Sequence, residues 1–80
     1  MAEATLHIKL TANDDAPFTA MFEPTGMTYE LAGSEHMTAE VYECHSNEIE
    51  IVHWNGGVSV WAPGSITTFD GNGEKLHDLN

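Results

Sequence analysis

Hydrophobic and polar residues alternate over short stretches along most of the chain. In residues 4–10, Leu6, Ile8 and Leu10 alternate with Thr5, His7 and Lys9. Successive side chains of a β-strand point to opposite faces, so this period of two predicts a strand with one buried face. The same pattern recurs further along. The predicted strands are residues 4–10, 17–23, 27–31, 36–43, 49–54, 58–62 and 66–69, with a weaker pattern over 75–79.

Short turn sequences separate these predicted strands. Residues 24–26 (PTG), 55–57 (NGG) and 70–73 (DGNG) combine Gly with Pro, Asn or Asp, which tight β-turns favour. Residues 34–43 include a serine that could cap a helix, so one helix there is the alternative to a strand. The spacing predicts a single all-β domain over residues 1–80, a small antiparallel β-sandwich or partly open barrel of about six to eight short strands.

The stretch EIEIVHWNGGVSVWAPG, residues 48–64, predicts a β-hairpin that contains both tryptophans. Asn-Gly sequences favour a two-residue turn, whereas a three-residue turn would shift the register by one and move one strand's side chains to the other face. With the two-residue turn, one face holds five of the side chains: Glu50, Val52, Trp54, Ser59 and Trp61. The opposite face then holds the predicted core residues, which are Ile49, Ile51, His53, Val58, Val60 and Ala62.

Two interpretations of Trp54 and Trp61 remain open from the sequence. Large aromatic side chains in a small sandwich can form a second layer of core under another sheet or under the carboxy-terminal strand. Alternatively, the two rings form an exposed platform, since monomeric proteins rarely leave large apolar patches uncovered without use. Such a platform would bind a protein partner, stack against a sugar ring or form the seam of a homodimer.

The chain is strongly acidic, with 13 Asp and Glu against two lysines and no arginine, for a formal charge of -11. Binding to nucleic acid or to an anionic membrane surface needs Lys and Arg, so we expect neither partner. Five glutamates fall within sixteen residues that contain no Lys or Arg, which favours an acidic patch that docks a basic protein. These are Glu35, Glu40, Glu43, Glu48 and Glu50.

Such a patch has several possible uses. It could imitate the DNA backbone, or it could neutralise a cationic protein as an antitoxin or immunity factor does. The simpler alternative is a solvated acidic surface that keeps the protein soluble, including in a salt-rich cytoplasm. We expect a cytoplasmic chain, because it shows neither an export signal nor a run of 18 apolar residues. Its single cysteine, Cys44, excludes an internal disulfide.

Candidate metal ligands are scattered along the sequence. Five histidines occur, at His7, His36, His45, His53 and His77, but neither a CxxC nor an HExxH motif is present. Cys44 and His45 are adjacent and could share an ion only from a loop. The run DGNGE, residues 70–74, begins like a calcium loop, yet the sixth position is Lys75 instead of glycine. A turn in which Asp70 faces Lys75 explains this run better, and we expect no metal and no cofactor.

Motifs for catalysis are also weak. Neither the cysteine nor any serine lies in a nucleophile turn, and the glycine-rich turns are too short to cradle a phosphate. The sequence therefore predicts a non-enzymatic, acidic protein-binding module. Its predicted binding residues are Glu48, Glu50, Val52, Trp54 and Trp61. The alternative is a small carbohydrate-binding domain that uses Trp54 and Trp61 as stacking faces.

Overall fold

Eight short β-strands form the structure, which the computed structural model describes over residues 5–13, 16–42 and 48–79. They are β1 (Leu6–Thr11), β2 (Phe18–Glu23), β3 (Met27–Leu31), β4 (His36–Val41), β5 (Glu50–Trp54), β6 (Gly57–Trp61), β7 (Ile66–Phe69) and β8 (Lys75–Leu79). Every predicted strand is present within two residues of its predicted bounds. In place of the alternative helix predicted over 34–43, residues 36–41 form strand β4, where Met37, Ala39 and Val41 are buried with the period of two that a strand provides. The described segments include no helix with the length and hydropathy needed to cross a bilayer.

The strands form two four-stranded sheets, so the fold is a β-sandwich and not a closed barrel. The first sheet has the order β1-β4-β7-β8, and the second sheet has the order β3-β2-β6-β5. One pairing departs from the predicted antiparallel arrangement, because β2 and β6 run parallel in the middle of the second sheet. Parallel strands need a long connection, and here the chain forms β3, β4 and β5 between them. This pairing brings residues far apart in sequence together on one face.

The core lies between the two sheets, on the face of each strand that the alternation predicts. Phe22 and Val60 of the second sheet are fully buried against Met37 and Val41 of the first sheet's inner face. Phe22 also meets Tyr29 edge to face, with ring centroids 5.7 Å apart. Burying each large apolar side chain contributes about 2 kcal/mol of stability, so this small set supplies much of the driving force.

Tyr29 joins the two sheets at the end of the sandwich formed by β3, β7 and β8. Its hydroxyl lies 2.8 Å from Thr68 Oγ1 and 3.0 Å from His77 Nδ1. Thr68 is fully buried, and its hydroxyl also accepts a hydrogen bond from the His77 backbone N–H at 3.2 Å. A buried hydroxyl without partners would destabilise the fold, so this network fixes how the two sheets meet.

The opposite end, where β5 is the outermost strand, is more open. Of the predicted core residues of the hairpin, Val60 and Ala62 are buried, and Ile49 and Val58 are partly buried against the core. The prediction is wrong for two others: Ile51 is 53% exposed and His53 is exposed as well. Both belong to the edge strand β5, so their inward-pointing side chains lie at the rim of the sandwich.

Candidate functional site

The β5–β6 hairpin has the two-residue turn that the sequence predicts. Trp54 pairs with Gly57, so Asn55 and Gly56 form the turn, and Gly56 adopts a φ of 96° that favours glycine. The cross-strand pairs that follow are Val52 with Ser59 and Glu50 with Trp61. The register therefore places Glu50, Val52 and Trp54 on the same outward face as Ser59 and Trp61.

Trp54 is half-buried and packs onto its own sheet. A Cβ atom built on Gly57 would lie 2.5 Å from Cη2 of the Trp54 ring, so the ring covers this glycine directly. The ring nitrogen Nε1 donates a hydrogen bond to Ser59 Oγ at 3.2 Å, and Ser59 is only 7% exposed as a result. An aromatic ring across from a strand glycine protects the backbone that glycine leaves bare. Trp54 is therefore mainly a structural residue.

Trp61 differs from Trp54, because 43% of it is exposed. It lies on the central strand β6, with Glu50 opposite it on β5 and Glu23 opposite it on β2. Val52, the next outward residue along β5, is 42% exposed. Neither tryptophan belongs to a second layer of core, since no described element covers this side of the second sheet. An exposed indole between two carboxylates is the central feature of the site.

A shallow cleft lies beside Trp61 at the end of the strands. Its volume is about 440 Å³, and it is lined by Pro24, Glu48, Trp61, Ala62 and Pro63. The Ala62 N–H donates to the Glu23 carbonyl at 3.2 Å, which holds the end of β6 against β2 next to this cleft. The cleft extends the surface around Trp61 with two rigid prolines and a further carboxylate.

We call the outward side chains of Glu23, Glu50, Val52, Trp54 and Trp61 the acidic aromatic face. The structure brings four of the five predicted binding residues together on it, and the fifth, Glu48, lies in the adjoining cleft. Sequence reasoning missed Glu23, because only the parallel pairing of β2 with β6 places it beside Trp61. The alternation along β2 marks Glu23 as outward-facing, but it carries no signal for this long-range pairing.

The charge on the acidic aromatic face is not balanced within the second sheet. Both lysines of the chain, Lys9 and Lys75, lie on strands of the first sheet. Among the described residues, the carboxylates of Glu23 and Glu50 form no hydrogen bond or ion pair, whereas the Glu30 carboxylate, farther along the same side, accepts a hydrogen bond from Thr19 Oγ1 at 2.6 Å. The face is consequently an uncompensated negative surface with an exposed ring in it.

The carboxylates of Glu40 and Asp78, on the outer face of the first sheet, have partners instead. His7 Nδ1 lies 3.7 Å from a Glu40 carboxylate oxygen, and the Tyr42 hydroxyl donates to Glu40 at 2.6 Å. The hydrogen bond to Glu40 raises the pKa of Tyr42 above its ordinary value. Lys75 forms an ion pair with Asp78, not with Asp70 as the sequence suggested.

Asp78 is held in its charged form by two neighbours. Lys75 is the main cause of its lowered pKa, and the hydrogen bond from Thr67 Oγ1, at 2.9 Å, lowers it further. Thr67 is only 8% exposed although it points outward, so this network covers part of the first sheet. These interactions give the two outward carboxylates of the first sheet, Glu40 and Asp78, partners within the protein itself.

The remaining candidate sites do not gather ligands in the described residues. Asp70 Oδ1 accepts hydrogen bonds from the backbone N–H groups of Asn72 and Glu74, as expected for a turn and not for a calcium loop. Across residues 5–13, 16–42 and 48–79, three His, Cys, Asp or Glu side chains are nowhere grouped so as to hold a metal ion. Glu43, Cys44 and His45 lie outside the described residues.

Comparison with known proteins adds no family to this description. The chain matches no protein-family model, no curated protein and no solved structure. What the protein binds is therefore inferred from the geometry and charge of the acidic aromatic face.

Proposed function

We propose that this chain is a non-enzymatic protein-binding module whose acidic aromatic face holds a cationic segment of a partner protein. The observation that supports this function is the position of Trp61, exposed on the central strand between Glu23 and Glu50. An indole face attracts a Lys or Arg side chain through its ring quadrupole, and flanking carboxylates strengthen that preference.

The surroundings of Trp61 suit the rest of a basic side chain as well. The aliphatic stem of a Lys or Arg packs on apolar surface while its charged end stays near carboxylates. Exposed Val52 offers such surface on one side of the ring, and the cleft between Pro24 and Pro63 offers it on the other. Aromatic residues that combine apolar area with charged neighbours are typical anchors of protein interfaces.

Long-range electrostatics favours the same class of partner. The net charge of -11 attracts cationic proteins and speeds their association, with an effect that weakens as salt is added. It repels nucleic acid and anionic lipid for the same reason. We therefore propose a basic protein as the partner.

Titration calorimetry with a short synthetic peptide that repeats lysine-proline-proline tests this function. Proline has no N–H, so neither side of this peptide carries enough N–H groups to extend a sheet edge, and binding reports on the face alone. We expect saturable binding that is lost when the lysines are acetylated. The double variant Glu23→Gln/Glu50→Gln should bind about tenfold more weakly, from the loss of two charge contacts.

A matched control separates local contacts from net charge. The double variant Glu30→Gln/Glu74→Gln also removes two negative charges, but from positions away from Trp61. It should change the affinity by less than about twofold at 0.15 M salt, where charges more than about 8 Å apart are largely screened. Equal weakening in both double variants, or equal binding of the acetylated peptide, would contradict the proposed site.

Carbohydrate binding is the second candidate, and the exposed ring of Trp61 favours it too. Sugar rings stack on indole faces, and the carboxylates of Glu23 and Glu50 could accept hydrogen bonds from sugar hydroxyls. Chemical-shift mapping with soluble oligosaccharides distinguishes the two functions. Shifts confined to the Trp61 ring and its neighbours, in the absence of a response to the lysine peptide, would favour the sugar.

A further inference from the structure

The outer edge of β5, which pairs with no described strand, lacks the protection that both edges of the first sheet show. Edge strands commonly avoid pairing with other chains through lysine, proline, bulges or short length. β1 carries Lys9, and β8 carries Lys75 together with an irregularity opposite Phe69. β5 has no lysine, proline or bulge, and it exposes apolar side chains on both of its faces, Ile51 at 53% and Val52 at 42%.

The backbone hydrogen bonds show which groups of β5 face the open edge. On β6, the even-numbered positions bond to β2, because Gly56 O accepts from Thr19 N and Ala62 N donates to the Glu23 carbonyl. The odd-numbered positions of β6 therefore face β5 and bond to the residues paired with them, at positions 50, 52 and 54. It follows that Ile51 and His53 direct their N–H and C=O groups away from the sheet.

We propose that the outer edge of β5 pairs antiparallel with β5 of a second copy of this chain. The two second sheets then form one continuous eight-stranded sheet across a two-fold axis. The register that pairs all five residues of β5 places Ile51 opposite His53 of the partner subunit, and Val52 opposite Val52 of the partner subunit. In this register, the outward N–H and C=O groups of Ile51 lie opposite the outward N–H and C=O groups of the partner subunit's His53, as an antiparallel ladder requires.

Charge is compatible with this register. Glu50 lies opposite Trp54 of the partner subunit, so carboxylates never face each other directly across the seam. The two Glu50 positions are four residues apart along the strands, which is about 13 Å, longer than the screening distance of about 8 Å at physiological salt. Each copy nevertheless carries a net charge of -11, so added salt should strengthen the dimer.

The rim of the sandwich provides apolar surface for a second copy to cover. Thr11 of β1 and His53 of β5 line the same cleft, so β1 lies across the sandwich from β5 at this end. The inward side chains of β1 are only partly buried there; they are Leu6, Ile8 and Leu10. Together with exposed Ile51, they form the part of the core that a single copy leaves incomplete. In this dimer, Trp61 lies on β6, one strand away from the seam, and its exposed face stays accessible. Dimer formation therefore does not depend on the binding of a cationic partner.

Sedimentation equilibrium at 0.1 and 1 M NaCl tests this proposal, with three variants. Ile51→Lys places a lysine on the edge, and His53→Pro removes an N–H that points away from β6 and bonds to none of the described residues of its own subunit. We expect a wild-type dimer whose dissociation constant falls about tenfold between the two salt concentrations, since repulsion between like charges is screened. Both variants should remain folded and monomeric. Leu76→Lys, on the edge strand β8 of the first sheet and at 39% exposure, is the matched control and should remain dimeric.

Amide hydrogen exchange identifies the seam directly. In the dimer, the N–H groups of Ile51 and His53 should exchange slowly, and dilution to monomer should release them. Wild-type protein that stays monomeric at millimolar concentration in 1 M NaCl would overturn the proposal. So would a dimer that survives both β5 variants but is lost in Leu76→Lys. Protection of the two amides only after a foreign protein is added would assign the edge to that protein instead.

Discussion

The two outer faces of the sandwich use charged residues in opposite ways. On the first sheet, the Glu40 carboxylate accepts the Tyr42 hydrogen bond and lies near His7, and Asp78 is paired with Lys75. On the second sheet, Glu23 and Glu50 flank an exposed tryptophan and make no such contacts among the described residues. Charges paired within a protein satisfy one another, whereas unpaired charges beside an exposed ring remain available to a partner.

Aromatic residues follow the same division. Trp54 covers Gly57 and donates to Ser59, so it stabilises its own sheet. Trp61 is 43% exposed and shares its face with carboxylates. The two rings lie on one face, yet only Trp61 is expected to determine binding. Four experiments test this comparison, in order of decreasing effect on free energy.

Replacing Gly57 with alanine should have the largest effect on stability. The new Cβ would lie 2.4 Å from the Thr19 carbonyl oxygen and 2.5 Å from the Trp54 ring. Overpacking of this kind lowers the free energy of unfolding by about 3 kcal/mol, which urea denaturation measures. Adding Trp54→Ala should not restore stability, because the backbone contact remains. A Gly57→Ala variant as stable as wild type would show that Trp54 does not pack on this glycine.

Replacing Trp61 with alanine should have the largest effect on binding. We expect a loss of about 2 kcal/mol, or about 30-fold in affinity, for the lysine-proline-proline peptide, as for other aromatic anchors. Its matched control is Phe69→Ala, which removes a half-buried aromatic from the outer face of the first sheet and should leave the affinity unchanged. Calorimetry measures both. Equal losses would remove the distinction between the faces.

Neutralising one carboxylate on each face should shift stability in opposite directions. Glu50→Gln removes repulsion and should stabilise the fold by about 0.5 kcal/mol at low salt, with less effect at high salt. Glu40→Gln weakens the hydrogen bond from Tyr42 and should destabilise the fold by about 0.5 kcal/mol. Urea denaturation at two salt concentrations measures both. Stabilisation by both variants would mean that net charge alone governs the effect.

The smallest effect concerns acid stability. Because Lys75 and Thr67 lower the pKa of Asp78 below its ordinary value of 3.8, its charged form stabilises the folded state above that pH. This contribution is lost as the pH falls through the lowered pKa of the folded protein. Asp78→Asn should therefore flatten the loss of stability below pH 3.8, as measured by urea denaturation across the acid range. An unchanged acid profile would show that this pairing is not significant in solution.

Local features of the fold follow from the sequence, and long-range ones do not. Alternation and turn residues predict all eight strands, and a two-residue turn at Asn55-Gly56 or Gly56-Gly57 predicts that Trp54 and Trp61 share one face. The parallel neighbour of β6 is not predictable, because nothing in a period of two indicates which distant strand pairs with it. Glu23 was missed for this reason. The exposure of Ile51 also depends on strand order, since an inward residue is covered only when its strand lies inside a sheet.

Fluorescence of single-tryptophan variants tests the central claim most directly. Trp54→Phe leaves only Trp61, and Trp61→Phe leaves only Trp54; each variant is titrated with the lysine-proline-proline peptide. We predict a saturable change in emission for the variant that retains Trp61 and no change for the variant that retains Trp54. A response from Trp54 alone, or from neither ring, would contradict the assignment of the acidic aromatic face as a binding site for cations.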